Sequence, residues 1–511
     1  MDYNEKLYNV FSNKEHRLES WMAAVFSKEY DHNVTIDELK EILAEENSFI
    51  VTELKEVEKE NYIRENSKWE VILKAEYIEE YDDECDDECD SDCSCEGHEC
   101  SHNHEEEHQC SCSHEEEHQC SCSHGENHQC SCSHGENHQC SCGNHDEEVK
   151  QNDELTFYIA LIDAKTVTEN VPEIFSVNTI KEENYKEALE VNYAIHISTV
   201  FQNYPLTDYQ RQLQLLNSIV ADASLFLDMS CSTARSGDWL AYTATFPLLP
   251  SLDYLYTIHA IYDDDKDPNK VEYWFHTHGL YRAGVIELEI VGVEDSNAYY
   301  GELLNTVAKL FIERGVPEKG FKFTPAYGVS VCWLPWQEAL EKLNIDKDFS
   351  GSYKDRNDNI HNTPSGVLVA VDEKGNYHTM DYYKDKLTDN PIFMLSNFET
   401  AIMREAAFDK IEYFIELLTK KKKDEDTSFL VKLGYAREDE DPNDLEHLWF
   451  EVHDFTDDGY FDATLINEPY KDLNMHEGDR GMHSIENLTD WIIYYKSVHY
   501  DSKNIYLLFE D

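Results

Sequence analysis

The sequence predicts a multidomain α+β protein of mostly antiparallel sheets with packed helices, a disordered Cys/His-rich insertion loop and a small β-rich C-terminal domain. Three observations predict it. Strand-like alternation brackets the insertion on both sides, helical stripes and strand-like runs intermix after it, and 13 of the 15 cysteines crowd between Cys85 and Cys142. The chain has 511 residues, 41% hydrophobic and 12% aromatic, which is material for more than one core and more apolar than disordered chains are.

Taken in order, the first elements read as two short helices, near Lys14 to Phe26 and Ile36 to Leu43. The second is opened by a capping box of Thr35 with Glu38. In KWEVILKAEY, Trp69, Val71, Leu73, Ala75 and Tyr77 alternate with polar neighbours, as do Leu155, Phe157, Ile159 and Leu161 in LTFYIALID. Both segments read as strands with one buried face, paired across the insertion. YAIHISTV reads as a strand, followed by a helix from about Thr207 with Leu213, Leu216, Val220, Ala223 and Leu227 on one stripe. Strand-like segments follow around Trp239 to Phe246, Leu255 to Tyr262, Tyr273 to Leu280 and Val285 to Val293. A helix from about Glu302 to Arg314 stops at Gly315, and a long one runs from Ser396 or Asn397 to Lys420. The KKKKDED run after it is a linker. The expected layout is an N-terminal α+β domain of 1–78 plus 149–185, the insertion at 79–148, a central α+β domain at 186–420 and the β-rich domain at 427–511.

A formal charge of −64 repels phosphate backbones and anionic lipid surfaces, so neither nucleic acid nor membrane is an expected partner. MDYNEKLYNVFSNKEHRLESW has no apolar signal region, and nowhere do about 18 apolar residues run consecutively. The expectation is a soluble cytoplasmic protein, in which clustered cysteines point to metal or redox chemistry rather than disulfides.

The insertion has no Lys or Arg between Lys74 and Lys150, and its 23 acidic residues put −23 on 70 residues. Within it a ten-residue unit repeats: CSCSHEEEHQ from Cys110, then CSCSHGENHQ from Cys120 and again from Cys130, with a degenerate CSCGNHDEE from Cys140. The units contain no Leu, Ile, Val or aromatic residue, so they cannot build a core of their own. Each supplies Cys-x-Cys, a His two residues on and another four later: Cys110, Cys112, His114 and His118; Cys120, Cys122, His124 and His128; Cys130, Cys132, His134 and His138. Cys140, Cys142 and His145 end the series. Two thiolates and two imidazoles make a tetrahedral set for Zn²⁺, the expected ion; Cu⁺, Cd²⁺ and Ni²⁺ are also accommodated. With 13 Cys and 11 His from Cys85 to His145, the ceiling at four ligands each is about six ions.

In the folded body the sharpest pattern is YWFHTHGLYRAGVIELEI. On strands, His276 and His278 share a face, as do Glu287 and Glu289. If the strands pair through the turn near Gly279 to Gly284, these four converge as a metal or acid–base site, unless Arg282 pairs with a glutamate. Cys231, in a loop of small residues, is a weaker candidate nucleophile with His259 as its base. No GxxxxGK[ST], GxGxxG after a strand, HExxH or CxxC motif occurs, and no catalytic residue is assigned.

EHLWFEVHDF, then GYFDATLINEPY, MHEGD and IENLTDWI, resemble a small bacterial β-rich domain, domain of unknown function 2314, at His447, Trp449, Gly459, Asn467, Pro469, Gly478, Asp479, Asp490 and Trp491. The WFHTHGLYRAGVIELEI segment resembles domain of unknown function 4026, in which such a domain follows the body. The resemblance implies an architecture and no activity, and the Cys/His tract departs from the pattern as an added loop. Relatives in this broad group are similar to immunity proteins of bacterial toxin systems, which implies a partner-binding surface. The expectation is thus a bacterial protein whose repeats bind Zn²⁺ or a similar ion for buffering or delivery. The alternatives are an interaction module for a basic protein partner, the tract being incidental, and a metal-dependent enzyme centred on His276 and His278.

Overall fold

The computed structural model describes residues 17–77 and 154–508, apart from 46–47, 65, 170, 172–175, 178–179, 203, 264–271, 295–297, 358–360, 362–363, 389–392, 395–396, 422–425, 438–444 and 497. The tract from 79 to 148, and with it every repeat ligand from Cys110 to His145, lies outside the described residues.

Three mostly antiparallel sheets carry the fold. The first is built from β1 (Ser20–Phe26), β2 (Phe49–Glu56), β3 (Trp69–Tyr77), β4 (Glu154–Asp163), β5 (Ser176–Val177), β6 (Tyr193–Thr199), β7 (Ala223–Asp228) and β8 (Thr233–Ser236), in the order β2-β3-β4-β6-β1-β7-β8-β5. β3 and β4 pair from Trp69 opposite Leu161 to Glu76 opposite Glu154, so the two ends of the insertion leave the sheet side by side. The capping box holds: Glu38 Oε2 accepts from Thr35 N at 2.6 Å, and Thr35 Oγ1 from Glu38 N at 3.2 Å, at the start of the helix Ile36–Glu45.

β1 corrects the helix expected from Lys14 to Phe26. SWMAAVF is apolar throughout because the strand is central, paired with β6 and β7, and covered on both faces. Met22, Ala24 and Phe26 enter one core while Ala23 and Val25 enter another on the opposite side. A short continuous apolar run does not separate a buried strand from a buried helix. The helix Pro205–Ile219 stops before Ala223 and Leu227, which lie on β7 instead of continuing its stripe. Trp239 to Phe246, expected as a strand, is mostly the helix Gly237–Ala244, capped by Ser236 Oγ accepting from Trp239 N. Trp239, Leu240, Thr243 and Ala244 face inward with helical spacing that the aromatic content obscured.

The second sheet contains β9 (Thr257–Asp263), β10 (Glu272–His278), β11 (Glu287–Val293), β12 (Phe323–Ala326), β13 (Val329–Pro335), β14 (Ser365–Val371) and β15 (Tyr377–His378). Its order is β12-β13-β14-β11-β10-β9, with β15 on β14 and one parallel pair, β11 with β14. The helix Ala298–Arg314 buries Leu303, Val307 and Phe311 and ends before Gly315 at φ 82°. One continuous core joins the first two sheets, and β6, β7 and β8 belong to the first, so the expected division at 185/186 falls within a sheet.

The third sheet is β16 (Thr427–Tyr435), β17 (Glu446–Phe455), β18 (Tyr460–Leu465), β19 (Arg480–Ser484), β20 (Leu488–Tyr495) and β21 (Val498–Tyr500). The long helix expected before it is two, Asn397–Asp409 and Ile411–Lys421. Both pack into its core through Ala407, Ile411, Phe414 and Leu418. Among the described residues no helix is long and apolar enough to cross a membrane.

Candidate metal centre

β9 and β10 place three histidines on one sheet face. The register sets His259 of β9 opposite His276 of β10, and strand alternation returns His278 to the same face two residues on. One nitrogen from each of the three rings lies within 4.8 Å of the other two. His276 Nε2 and His278 Nε2 are 3.1 Å apart. Tetrahedral Zn²⁺ with bonds near 2.0–2.1 Å holds neighbouring nitrogens about 3.3 Å apart, so one pair already stands at that spacing and His259 needs a small inward shift.

The rings are prepared to be ligands. His276 is buried, and its pKa is pushed well below the usual value by that burial, then by His278, His361, His259 and Arg356. Burial and His361 lower His259. Both imidazoles are therefore neutral at physiological pH, with a lone pair to offer. His259 Nε2 and His276 Nδ1 are buried without a hydrogen-bond partner. An orphaned buried polar atom costs roughly 1–3 kcal/mol, a cost that an ion bound at His259 Nε2 removes; His276 turns its Nε2, not the orphaned Nδ1, to His278.

The surroundings orient His276. Trp274 stacks on its ring at 4.0 Å and 25° and donates its indole N–H to Glu289 Oε2 at 2.8 Å. Glu289, opposite His276 in the β10–β11 register, is held by Arg356 through two bonds of 2.7 and 2.5 Å and accepts from Ser365 Oγ. Its carboxylate is committed to orienting the site and is not a spare ligand. Arg356 donates onward to Gly351 O at 2.8 Å, and Gly351 at φ 79° leaves no room for a Cβ, which would lie 2.5 Å from Trp274 Cγ.

Glu287 has the other role. It accepts from Thr277 Oγ1 at 2.6 Å and Gly279 N at 2.9 Å, yet burial lifts its carboxyl to about 7 against those hydrogen bonds. It lines a cavity of about 240 Å³, counting the open mouth, together with Trp274, His276, His278, Arg356 and His361. The His361 ring centroid stands 5.2 Å from that of His276 and 5.5 Å from that of His278. Three imidazoles, two of them kept neutral by burial, with a carboxyl and a fourth imidazole beside them, can bind a borderline divalent ion and leave it a coordination position for water.

The pairing of β10 with β11 and the clustering of His276, His278, Glu287 and Glu289 match the expectation, while other assignments change. Arg282 does not pair with either glutamate. It is fully buried and grips Asp228 at 3.1 and 2.9 Å and Leu255 O at 2.7 Å, tying the turn to the first sheet. Cys231 is no nucleophile: it is buried against Thr233, and burial drives its thiol up to about 11. His259 serves the histidine cluster instead. Sequence reasoning missed Arg356 and His361, which enter from a distant loop, and the alternation in YTIHAIY was the available signal for His259.

Family models match along most of this fold. Residues 126–250 match the model described as Protein of unknown function (DUF4026) N-terminal, and 258–369 its C-terminal counterpart. Residues 397–511 match the model described as Uncharacterized protein conserved in bacteria (DUF2314). The C-terminal DUF4026 match spans all four histidines of the centre. No curated protein and no solved structure matches the chain.

Proposed function

The chain belongs to the DUF4026 family of proteins of unknown function and ends in a DUF2314 domain, and from its side chains we propose that it is a transition-metal-binding protein with a resident site at His259, His276 and His278. The observation that carries this reading is the convergence of three imidazole nitrogens within 4.8 Å, His259 Nε2 being buried without a hydrogen-bond partner. Zn²⁺ fits best, because it takes nitrogen ligands and tolerates three protein ligands plus water; Ni²⁺ and Cu²⁺ also suit imidazole. The Cys/His repeats from Cys110 to His145 are, on the same reading, a second and softer store whose thiolates favour Zn²⁺, Cu⁺ or Cd²⁺, releasing protons on loading. The tract buffers or hands on several ions, whereas the folded body holds one.

Since Glu76 and Glu154 face each other across β3 and β4, a short turn can replace residues 79–148. Native mass spectrometry with elemental analysis on that shortened chain, loaded with Zn²⁺, is expected to find one ion, absent after His276→Ala. A shortened chain that takes up no Zn²⁺, or one whose ion survives His276→Ala, would sink the resident site. The full chain is expected to hold several more ions than the shortened one, and equal stoichiometry would remove the store.

A further inference from the structure

A fourth imidazole stands within reach of the three that converge. Two imidazoles bound tetrahedrally to one ion, with Zn–N bonds near 2.0–2.1 Å, hold their ring centroids about 5.2 Å apart. Among His259, His276 and His278 the centroids stand 4.8, 4.9 and 5.6 Å apart. His361 stands 5.2 Å from His276 and 5.5 Å from His278, inside the range that the three set among themselves. It lines the same cavity as those two and acts electrostatically on His259 as well, so it neighbours all three. Its nitrogens do not share the 4.8 Å convergence of the others. The ring has the right distance, and a turn about its half-buried side chain's torsions brings a nitrogen to the ion.

The backbone that carries His361 is tied to the groups that orient His276. Arg356 donates to His361 O at 3.3 Å and to Gly351 O at 2.8 Å while it grips Glu289. Trp274, which stacks on His276, meets the His361 ring at a centroid distance of 5.1 Å. One guanidinium and one indole thus place ligands from the hairpin and from the loop together. His259, His276 and His278 stand on strands whose register fixes them, whereas His361 comes from a turn outside the sheet.

We propose that His361 is the fourth ligand of the resident ion, closing a site of four imidazoles in the position that three ligands leave for water. The inference rests on the metal-binding reading of His259, His276 and His278 given above. An ion with four protein ligands is held in a closed site, whereas activation of water needs an open position. The body is then a holder of metal and not a metal hydrolase. His361, the ligand outside the sheet, is the one that leaves first when the ion is handed on.

The test is visible absorption of the full chain loaded with Co²⁺, a spectroscopic substitute for Zn²⁺. Full-length His276→Ala carries the same repeats and serves as background, so the difference reports the resident site. The parent's difference spectrum is expected to show a tetrahedral band that azide, which binds cobalt at open or water-filled positions, does not shift. His361→Gly is expected to keep a band, bind Co²⁺ more weakly and respond to azide. Removing an outer-shell partner already costs about 10–100-fold in affinity, and a lost ligand should cost no less. Added imidazole, taking the space of the missing ring, should restore the parent band and block azide. An azide shift in the parent overturns the proposal without any variant. So does a His361→Gly protein with parent affinity and no response to azide or imidazole. Either result leaves the three-histidine reading standing, whereas no difference between the parent and His276→Ala removes the resident site itself and this inference with it.

Discussion

His276 owes its chemistry to Glu289 and Arg356, neither of which touches it through a hydrogen bond. Trp274 lies on the imidazole, Glu289 holds the indole N–H, and Arg356 holds Glu289. Arg356→Met strands a buried carboxylate, a loss of about 3–5 kcal/mol of stability by urea unfolding. The double variant with Glu289→Met should recover most of that while metal affinity stays about 10–100-fold down, because the indole has lost its anchor. Recovery of affinity in the double variant would show that the pair is structural alone. His196, on β6 of the first sheet, gives a second residue-scale prediction. It accepts from Arg64 Nε at 2.8 Å, and burial first, then Arg64, depress its pKa to about 3. The unfolded chain takes up this proton near pH 6.5 and the folded one near 3. The sign follows: the contribution is complete above 6.5 and drains away as pH falls towards 3, by up to about 5 kcal/mol. His196→Gln should flatten that part of the stability profile, and an unchanged acid limb would refute the assignment.

Elements made of local periodicity were legible, and elements defined by distant partners were not. β3 and β4 could be read from alternation, and the Ile36–Glu45 helix from Thr35 and Glu38, because the deciding residues are neighbours in sequence. β1 could not, since a strand covered on both faces shows no alternation to read. The same divide runs through the candidate site. His276, His278, Glu287 and Glu289 stand on a hairpin and announce themselves by period two, whereas His259 joins through a register between strands and His361 through a loop some eighty residues on. That loop is itself shaped for the site at Gly351, whose left-handed φ and missing Cβ let Trp274 lie flat. Gly351→Ala must strain the backbone and push the indole off His276. We expect a loss of about 1–3 kcal/mol in stability and weaker Zn²⁺ binding by the shortened chain, read by competition with a chromophoric chelator. Unaltered affinity in a folded Gly351→Ala protein would mean that the stacking does not position the ligand.

For the whole molecule, the tract and the body are coupled through one pair of strands. The segment from 78 to 153 leaves β3 and returns to β4 at directly opposed positions, so folding must close a 76-residue connection. Closure entropy grows as about 1.5 RT ln n, and replacing residues 79–148 by a four-residue turn, which leaves about ten residues in the connection, lowers its cost by about 2 kcal/mol. Excising the acidic stretch also removes −23 of the −64 total, which relieves self-repulsion in the same direction. The shortened chain is therefore expected to unfold at higher urea than the full one in the presence of a chelator. Zn²⁺ adds a second lever, because ions that cross-link thiolates and imidazoles within the tract shorten the effective loop. Zn²⁺ should stabilise the full chain through both the tract and the body, yet stabilise the shortened chain only through His259, His276 and His278. The difference between the two Zn²⁺ responses, measured with and without His276→Ala, separates the store from the resident site. A shortened chain less stable than the parent would show instead that the tract contributes contacts the body needs, and would reverse the view of it as an appended loop.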